Sequence, residues 1–162
     1  MVKVSVLGAV GRVDNVEAMI SHLQNLKPGS GLILDADLVC GKDHLLSAAN
    51  HAIRAFERGD NASDSLAVET LLYASGERQI SKALKKMTAK IGSNEVALVL
   101  FDVPSSDKVL KDMGLSRDDD VLDASVEKAL KFGISSDEIK AVSADMVEDL
   151  VLERVAFVGM QK

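Results

Sequence analysis

NEVALVLFDV, residues 94–103, is the clearest strand in this chain of 162 residues. A continuous apolar run of this length predicts a strand that is buried on both faces or nearly so. Val-rich runs predict two further strands, at 2–13 and 32–40. Helical patterns surround these strands, after Asp14 and at 42–59, 65–75, 77–90, 105–114, 125–133 and 135–159. With no repeat and no linker between them, the pattern predicts one α+β domain over 1–162, a small mixed sheet packed with several helices.

The composition limits the classes of protein to consider. Apolar residues make up 47% and charged residues 27%, as is ordinary for a globular protein. Aromatic residues make up 3% and Trp is absent, which disfavours the aromatic stacking platforms of RRM and OB domains. The single cysteine, Cys40, excludes an internal disulfide and fits a reducing compartment. Without a signal pattern or a run of about 18 apolar residues, we expect a cytoplasmic protein with no membrane partner.

The charge is unevenly distributed. The net charge of −6 argues against general nucleic-acid binding. Residues 77–90 nevertheless hold five basic residues against one acidic residue, whereas residues 112–153 hold twelve acidic and four basic residues. A basic segment in an acidic chain indicates either a local polyanion site or a solvated helix face.

The N-terminal stretch LGAVGRVD resembles a dinucleotide-binding turn, because Gly8 and Gly11 precede a helix and acidic residues follow about 24 residues later. The position of the third glycine is taken by Asp14, whose charge would repel a pyrophosphate at the helix N-terminus. A predicted capping box of Asp14 and Glu17 also uses the helix amides. A nucleotide- or NAD(P)-binding enzyme that uses Gly8 and Gly11 therefore stays an alternative hypothesis only.

The remaining polar residues suggest no chemistry. His44 and His51 share one face of the helix predicted at 42–59, but no third ligand has metal-site spacing, so core or boundary positions are favoured. The serines are explained by caps and turns, such as Ser136 as an N-cap. The acidic run 117–123, with some extended structure expected around residues 121–122, lacks EF-hand spacing. We therefore expect no catalytic residue, no metal and no cofactor.

LLYASGERQISKALKKM, residues 71–87, contains a possible phosphate-binding corner. It lacks the glycines that precede the Lys of a Walker loop. Gly76 is predicted as the left-handed C′ residue of one helix, with the next helix starting at once and its first amides exposed. Helical spacing predicts a core face of Ile80, Ala83, Leu84, Met87 and Ile91, and a basic face of Arg78, Lys82, Lys85 and Lys86.

Two stretches carry a family resemblance. ADLVCGKDHLLSAANHAIRAF and LAVETLLYASGERQISKAL resemble the PRPK-binding protein family (TPRKB-like), the small kinase-binding subunit of the KEOPS (EKC) complex. The shared signature is a DADLV-G segment, a His-Leu pair at a helix start, and E-LLYASG-RQI--A. The resemblance covers residues 30–103 well and the C-terminal helix more loosely.

The resemblance implies a non-catalytic subunit that binds the small atypical kinase/ATPase of the complex and supports threonylcarbamoyl modification of tRNA adenosine. It also implies binding of the single-stranded 3′ CCA end of tRNA. The matching positions are Ser75, Gly76, Arg78, Gln79 and Ile80, to which the basic segment adds Lys82 and Lys85. A base would rest on Ile80 while the cations neutralise phosphates. A protein-binding module with a merely solvated basic helix is the third hypothesis.

Overall fold

The computed structural model describes residues 1–160, which form four strands and eight α-helices. The strands are β1 (Val4–Val10), β2 (Ser30–Asp35), β3 (Glu95–Phe101) and β4 (Ser116–Arg117). The helices are α1 (Val16–Gln24), α2 (Lys42–Arg58), α3 (Leu66–Ser75), α4 (Ile80–Met87), α5 (Ser106–Asp112), α6 (Val126–Phe132), α7 (Ser136–Lys140) and α8 (Val147–Met160). The predicted α+β class is confirmed.

The sheet has the order β2-β3-β1-β4. The predicted strand 94–103 is confirmed as the inner strand β3, paired in register with β1 through Val6↔Val99 and with β2 through Ile33↔Leu98. Every pairing is antiparallel, where we expected a mixed sheet. The reason is that β3 inserts between β1 and β2 and runs opposite to both.

Two apolar layers cover the sheet. Alternate residues of β1 and β3, among them Val6 and Val99, belong to a core with the buried faces of α2, α3, α6 and α8. The intervening residues, among them Leu7 and Leu98, pack with α1 and α5. This alternation follows from the two-residue period of a strand. Within residues 1–160, no helix is long and apolar enough to cross a membrane.

The glycines of β1 pack against protein rather than opening onto a cofactor site. A Cβ built on Gly8 would lie 2.5 Å from the carbonyl oxygen of Asp118. The Gly8 amide donates to Asp119 Oδ1 at 3.0 Å. The segment after β4 therefore fills the space that a pyrophosphate would need.

The cap of α1 differs from the predicted one. Asn15 is the N-cap, and its Oδ1 accepts from the Ala18 amide at 3.0 Å. Asp14 instead forms an ion pair with Arg12, with Nε and Oδ1 2.8 Å apart. The predicted capping box was wrong because α1 begins at Val16, one residue later than that box requires.

Three other boundaries were wrong for local reasons. The strand predicted at 32–40 ends at Asp35, whose Oδ1 accepts from the Asp37 amide and starts a 3-10 helix. Residues Asp119–Leu122 form a 3-10 helix rather than extended structure. Ser135, not Ser136, caps α7, in a capping box with Glu138.

Candidate functional site

The site predicted around residues 75–80 lies where α3 ends and α4 begins, and we call residues 75–80 the α3–α4 corner. Gly76 has φ = 72°, which confirms the predicted left-handed C-terminal residue of α3. Ser75 is buried, and its hydroxyl donates to the Leu72 carbonyl at 3.0 Å and accepts from the Glu77 amide at 3.1 Å. Ser75 therefore shapes the corner and presents no free hydroxyl to solvent.

The protein side of this corner contacts three side chains, which we call the corner support: His44, Lys86 and Phe132. Lys86 Nζ donates to the Ser75 carbonyl at 2.7 Å and lies 3.9 Å from the centroid of the Phe132 ring. The Phe132 ring meets the His44 ring edge to face, with centroids 5.3 Å apart. A Cβ on Gly76 would lie 3.5 Å from Phe132 Cζ, so the ring packs directly beneath the glycine. The end of α3 is thus fixed by groups from α2, α4 and α6.

His44 is fully buried and neutral, as expected for a core histidine. Its Nδ1 accepts from the Cys40 amide at 3.0 Å, and this fixes the tautomer in which Nε2 donates to the Ala74 carbonyl at 2.8 Å. Burial lowers the pKa of His44 to about 4. Burial also lowers the pKa of Lys86. His51, half-buried, stacks on Tyr73 with centroids 5.2 Å apart, which fits a boundary position.

Helix α4 starts later than the sequence pattern predicts. It begins at Ile80, with the extended residue Gln79 as its N-cap, rather than at residue 77. Its first intrahelical bond runs from the Ala83 amide to the Gln79 carbonyl. The amides without an intrahelical acceptor are therefore those of residues 80–82, and not those beside Ser75 and Gly76.

The apolar face of α4 is only partly covered. Ala83 and Met87 are buried, whereas Ile80 is 39% and Leu84 is 43% exposed. The prediction that Ile80 is a core residue was wrong, because the apolar arc of α4 is wider than its contact with the rest of the core. Ile91 is exposed because it lies beyond the end of α4, where helical spacing no longer applies. The outer part of α4 thus carries two neighbouring apolar side chains.

The basic segment separates into two groups. Lys86 turns inward to the corner support, and Lys90 Nζ lies 3.6 Å from Asp35 Oδ2. Lys86 was therefore wrongly assigned to the exposed basic face. The exposed group comprises Arg78, Gln79, Lys82 and Lys85. Within residues 1–160, the side chains of Lys82 and Lys85 have no ion pair or hydrogen bond.

The corner thus combines partly exposed apolar side chains, unsatisfied helix amides and exposed cations. Helix amides and the helix dipole attract anions, and the cations add a salt-dependent attraction for phosphates. The arrangement can bind a phosphate-bearing ligand that also has an apolar part.

The sequence reasoning missed the corner support. Phe132 is 56 residues from Gly76, and the sequence pattern placed it only in the helix predicted at 125–133. His44 was assigned to the core, but no local pattern connected it to Ala74. Leu84 was assigned to the core face and in fact extends the exposed apolar surface beside Ile80.

Comparisons with known proteins agree with the resemblance. The model of the family described as kinase binding protein CGI-121 matches residues 11–159. The chain is 32% identical over 130 residues to the regulatory protein Cgi121 of Methanocaldococcus jannaschii, covering 80% of this chain and 83% of that protein. The chain therefore belongs to the CGI-121 family of kinase-binding proteins.

Proposed function

We propose that this protein is a non-catalytic regulatory subunit of a KEOPS complex, which binds the kinase of that complex and holds the 3′ CCA end of tRNA at the α3–α4 corner. In this role it supports threonylcarbamoyladenosine modification of tRNA. Membership of a kinase-binding family supports the first part. The proposal of tRNA binding rests on the exposure of Ile80, which lies in the first turn of α4 between the exposed residues Arg78 and Lys82.

The geometry of the corner suits a flexible, single-stranded end. An apolar side chain offers a surface for the face of any base, and such contacts are tolerant of sequence. Ile80 and Leu84 offer this surface, while the amides of residues 80–82 face the phosphates with the positive end of the helix dipole. Gln79 adds an exposed amide side chain for base edges. Ser75 and Gly76 act by shaping the corner.

The lysines beside the corner should set the salt dependence of tRNA binding. Replacing Lys82 and Lys85 by Gln removes two phosphate contacts, so we expect the slope of log affinity against log salt to fall by about 1.4. Titrations of tRNA at several salt concentrations measure this slope. The matched control replaces Lys3 and Lys111, two exposed lysines outside the corner, by Gln. An equal change of slope in both variants would mean that tRNA has no preference for the corner.

The end of α8 is the surface that we propose for the kinase. Its inner residues, such as Val155 and Val158, are buried, whereas Phe157 is 40% and Met160 is 79% exposed. Phe157 and Met160 are three residues apart and so share one side of the helix. A Cβ on Gly159 would lie 3.4 Å from the hydroxyl of Tyr73, which stacks on His51 of α2. The end of α8 therefore packs against α3 through Gly159 and leaves the apolar side chains of Phe157 and Met160 available to a partner.

Replacing Phe157 and Met160 by Glu should weaken kinase binding at least about tenfold, since two apolar anchors would become charges. Co-purification with the small KEOPS kinase and a titration of the two proteins measure the effect. Val126 and Leu130 of α6, which are 38% and 45% exposed, are another pair of exposed apolar residues on one helix, so their replacement by Glu is the control. Retained binding by the α8 variant would place the kinase elsewhere.

The alternative nucleotide-binding enzyme requires a free space at Gly8. Because the carbonyl of Asp118 and the side chain of Val121 lie within 2.6 Å of a Cβ built there, we expect NAD(P) and ATP to leave the melting temperature unchanged. A thermal-shift assay at millimolar ligand measures this. A reproducible increase in the melting temperature with either ligand would favour the enzyme instead.

A further inference from the structure

The strand β1 has a free edge along half of its length. β4 pairs with β1 only at Ala9↔Arg117 and Val10↔Ser116. Beyond these two pairs, no strand within residues 1–160 covers the outer side of Val4–Leu7. An uncovered strand edge is a template for another extended chain.

The hydrogen bonds of β1 identify the backbone groups that face this edge. The Gly8 amide and carbonyl bond outward, to Asp119 Oδ1 and to the Asp118 amide. The Lys3 carbonyl bonds to the other side, accepting from the Asp102 amide next to β3. Since neighbouring residues of a strand alternate in direction, Val4 and Val6 face outward like Gly8. Their four backbone N–H and C=O groups have no partner within residues 1–160.

A groove of about 280 Å³ runs along this edge. Residues 4–7 form its floor, and its sides are formed by Lys42 and Leu46 of α2, Ser106 of α5 and Arg117 of β4. An occupant would continue the line of β4 past Val6 over roughly 13 Å, the length of four strand residues. The groove is therefore long enough to hold a strand segment of about four residues.

The residues of α2 that line the groove predict which side chains a bound segment should have. Lys42 and Leu46 are four residues apart on one helix face, so their Cβ atoms are about 5–6 Å apart. Residues two apart in a strand lie on the same side at about 6.6 Å, which matches this spacing. Lys42 is exposed and has no ion pair within residues 1–160. Arg117, by contrast, is paired with Asp119 at 3.1 Å.

From this arrangement we infer that the free edge of β1 binds an extended peptide of a partner protein, in which an acidic residue lies two positions from an apolar residue. The peptide bonds to the backbone of Val4 and Val6, its carboxylate pairs with Lys42, and its apolar side chain contacts Leu46. A second copy of this chain fits less well, because β1–β1 pairing would bring two copies of Lys42 and Arg117 together.

The test uses two peptides that carry fluorescein on the N-terminal amine, fluoresceinyl-Ser-Val-Thr-Glu-Thr-amide and the same peptide with Lys in place of Glu. Fluorescence anisotropy should show that the protein binds the Glu peptide at least fivefold more tightly than the Lys peptide. A Lys42→Glu variant should reverse this preference. Val4→Pro removes an outward N–H at the first residue of β1. This variant should bind both peptides at least tenfold more weakly. A Glu peptide that is N-methylated at alternate amides should also bind at least tenfold more weakly.

Several results would overturn the inference. Equal affinity for the two peptides, or a preference that Lys42→Glu leaves unchanged, would exclude the charge pairing. Absence of binding at millimolar peptide would exclude the groove as a site for such peptides. Sedimentation that shows a dimer which Lys42→Glu strengthens would assign the edge to a second copy. If Val4→Pro fails to fold, the charge exchange at Lys42 and the N-methylated peptide still decide the outcome.

Discussion

Replacing Arg78 and Ile80 by Glu should weaken binding of full-length tRNA about 100-fold. Ile80 is the apolar contact proposed for a terminal base, and loss of such a contact costs about 1–3 kcal/mol. The two new carboxylates also lie among the amides and cations proposed to face phosphates, where each repels the ligand. Together these terms come to about 3 kcal/mol, or two orders of magnitude in affinity. Filter binding or anisotropy with labelled tRNA measures the change.

The matched control replaces Ile91 and Lys111 by Glu. These residues are also an exposed isoleucine and an exposed cation, so the change in net charge is the same. The control should bind tRNA within about threefold of the unmodified protein, since only the general repulsion increases. Thermal melts of both variants show whether they are folded. Unchanged affinity in the corner variant, or an equal loss in the control, would contradict the proposed site.

Replacing His44 by Ala should lower the free energy of unfolding by about 4 kcal/mol. The change leaves the Cys40 amide and the Ala74 carbonyl without their partner in the core, at about 1–3 kcal/mol each, and it opens a cavity beneath Phe132. Urea unfolding measures this free energy. His51→Ala, which affects a half-buried ring stacked on Tyr73, should cost only about 1 kcal/mol. Similar losses in the two variants would contradict the structural role of His44.

The same histidine should make stability depend on pH. The pKa of His44 is about 4 in the folded protein against 6.5 for an unperturbed imidazole, so the unfolded chain binds a proton that the folded protein does not. The corresponding stability is complete above pH 6.5 and is lost as pH falls to 4, by about 3 kcal/mol in total. A His44→Gln variant should lack this component. Unfolding curves from pH 7 to pH 4 measure the difference, and parallel pH profiles for the two proteins would contradict it.

Local patterns predicted most elements of the fold. The apolar run of β3, the glycine end of α3, and the periodicity of α2 are signals that residues close in sequence carry. The errors occur where a short polar side chain decides a boundary. Asn15 rather than Asp14 caps α1, and Asp35 turns β2 into a 3-10 helix. Neighbouring Asn and Asp residues are nearly equivalent as caps, so the sequence alone does not choose between them.

The candidate site was predictable only in part. The exposure of Arg78, Lys82 and Lys85 follows from the polar face of a helix. The inward turn of Lys86 does not, because its partners are the Ser75 carbonyl and the ring of Phe132, which folding brings together from three elements. The exposure of Ile80 was mispredicted for a related reason. Periodicity gives the apolar arc of α4 but not how much of that arc the rest of the core covers.

The most direct test of the central claim compares the affinity of this protein for a tRNA and for the same tRNA without its three terminal nucleotides, at one salt concentration. If the α3–α4 corner holds the CCA end, removal of that end should weaken binding at least about tenfold, the loss expected from one stacked base and its phosphate. The Arg78→Glu, Ile80→Glu variant should bind both tRNAs with the same low affinity. Equal affinity of the unmodified protein for the two tRNAs would contradict the account.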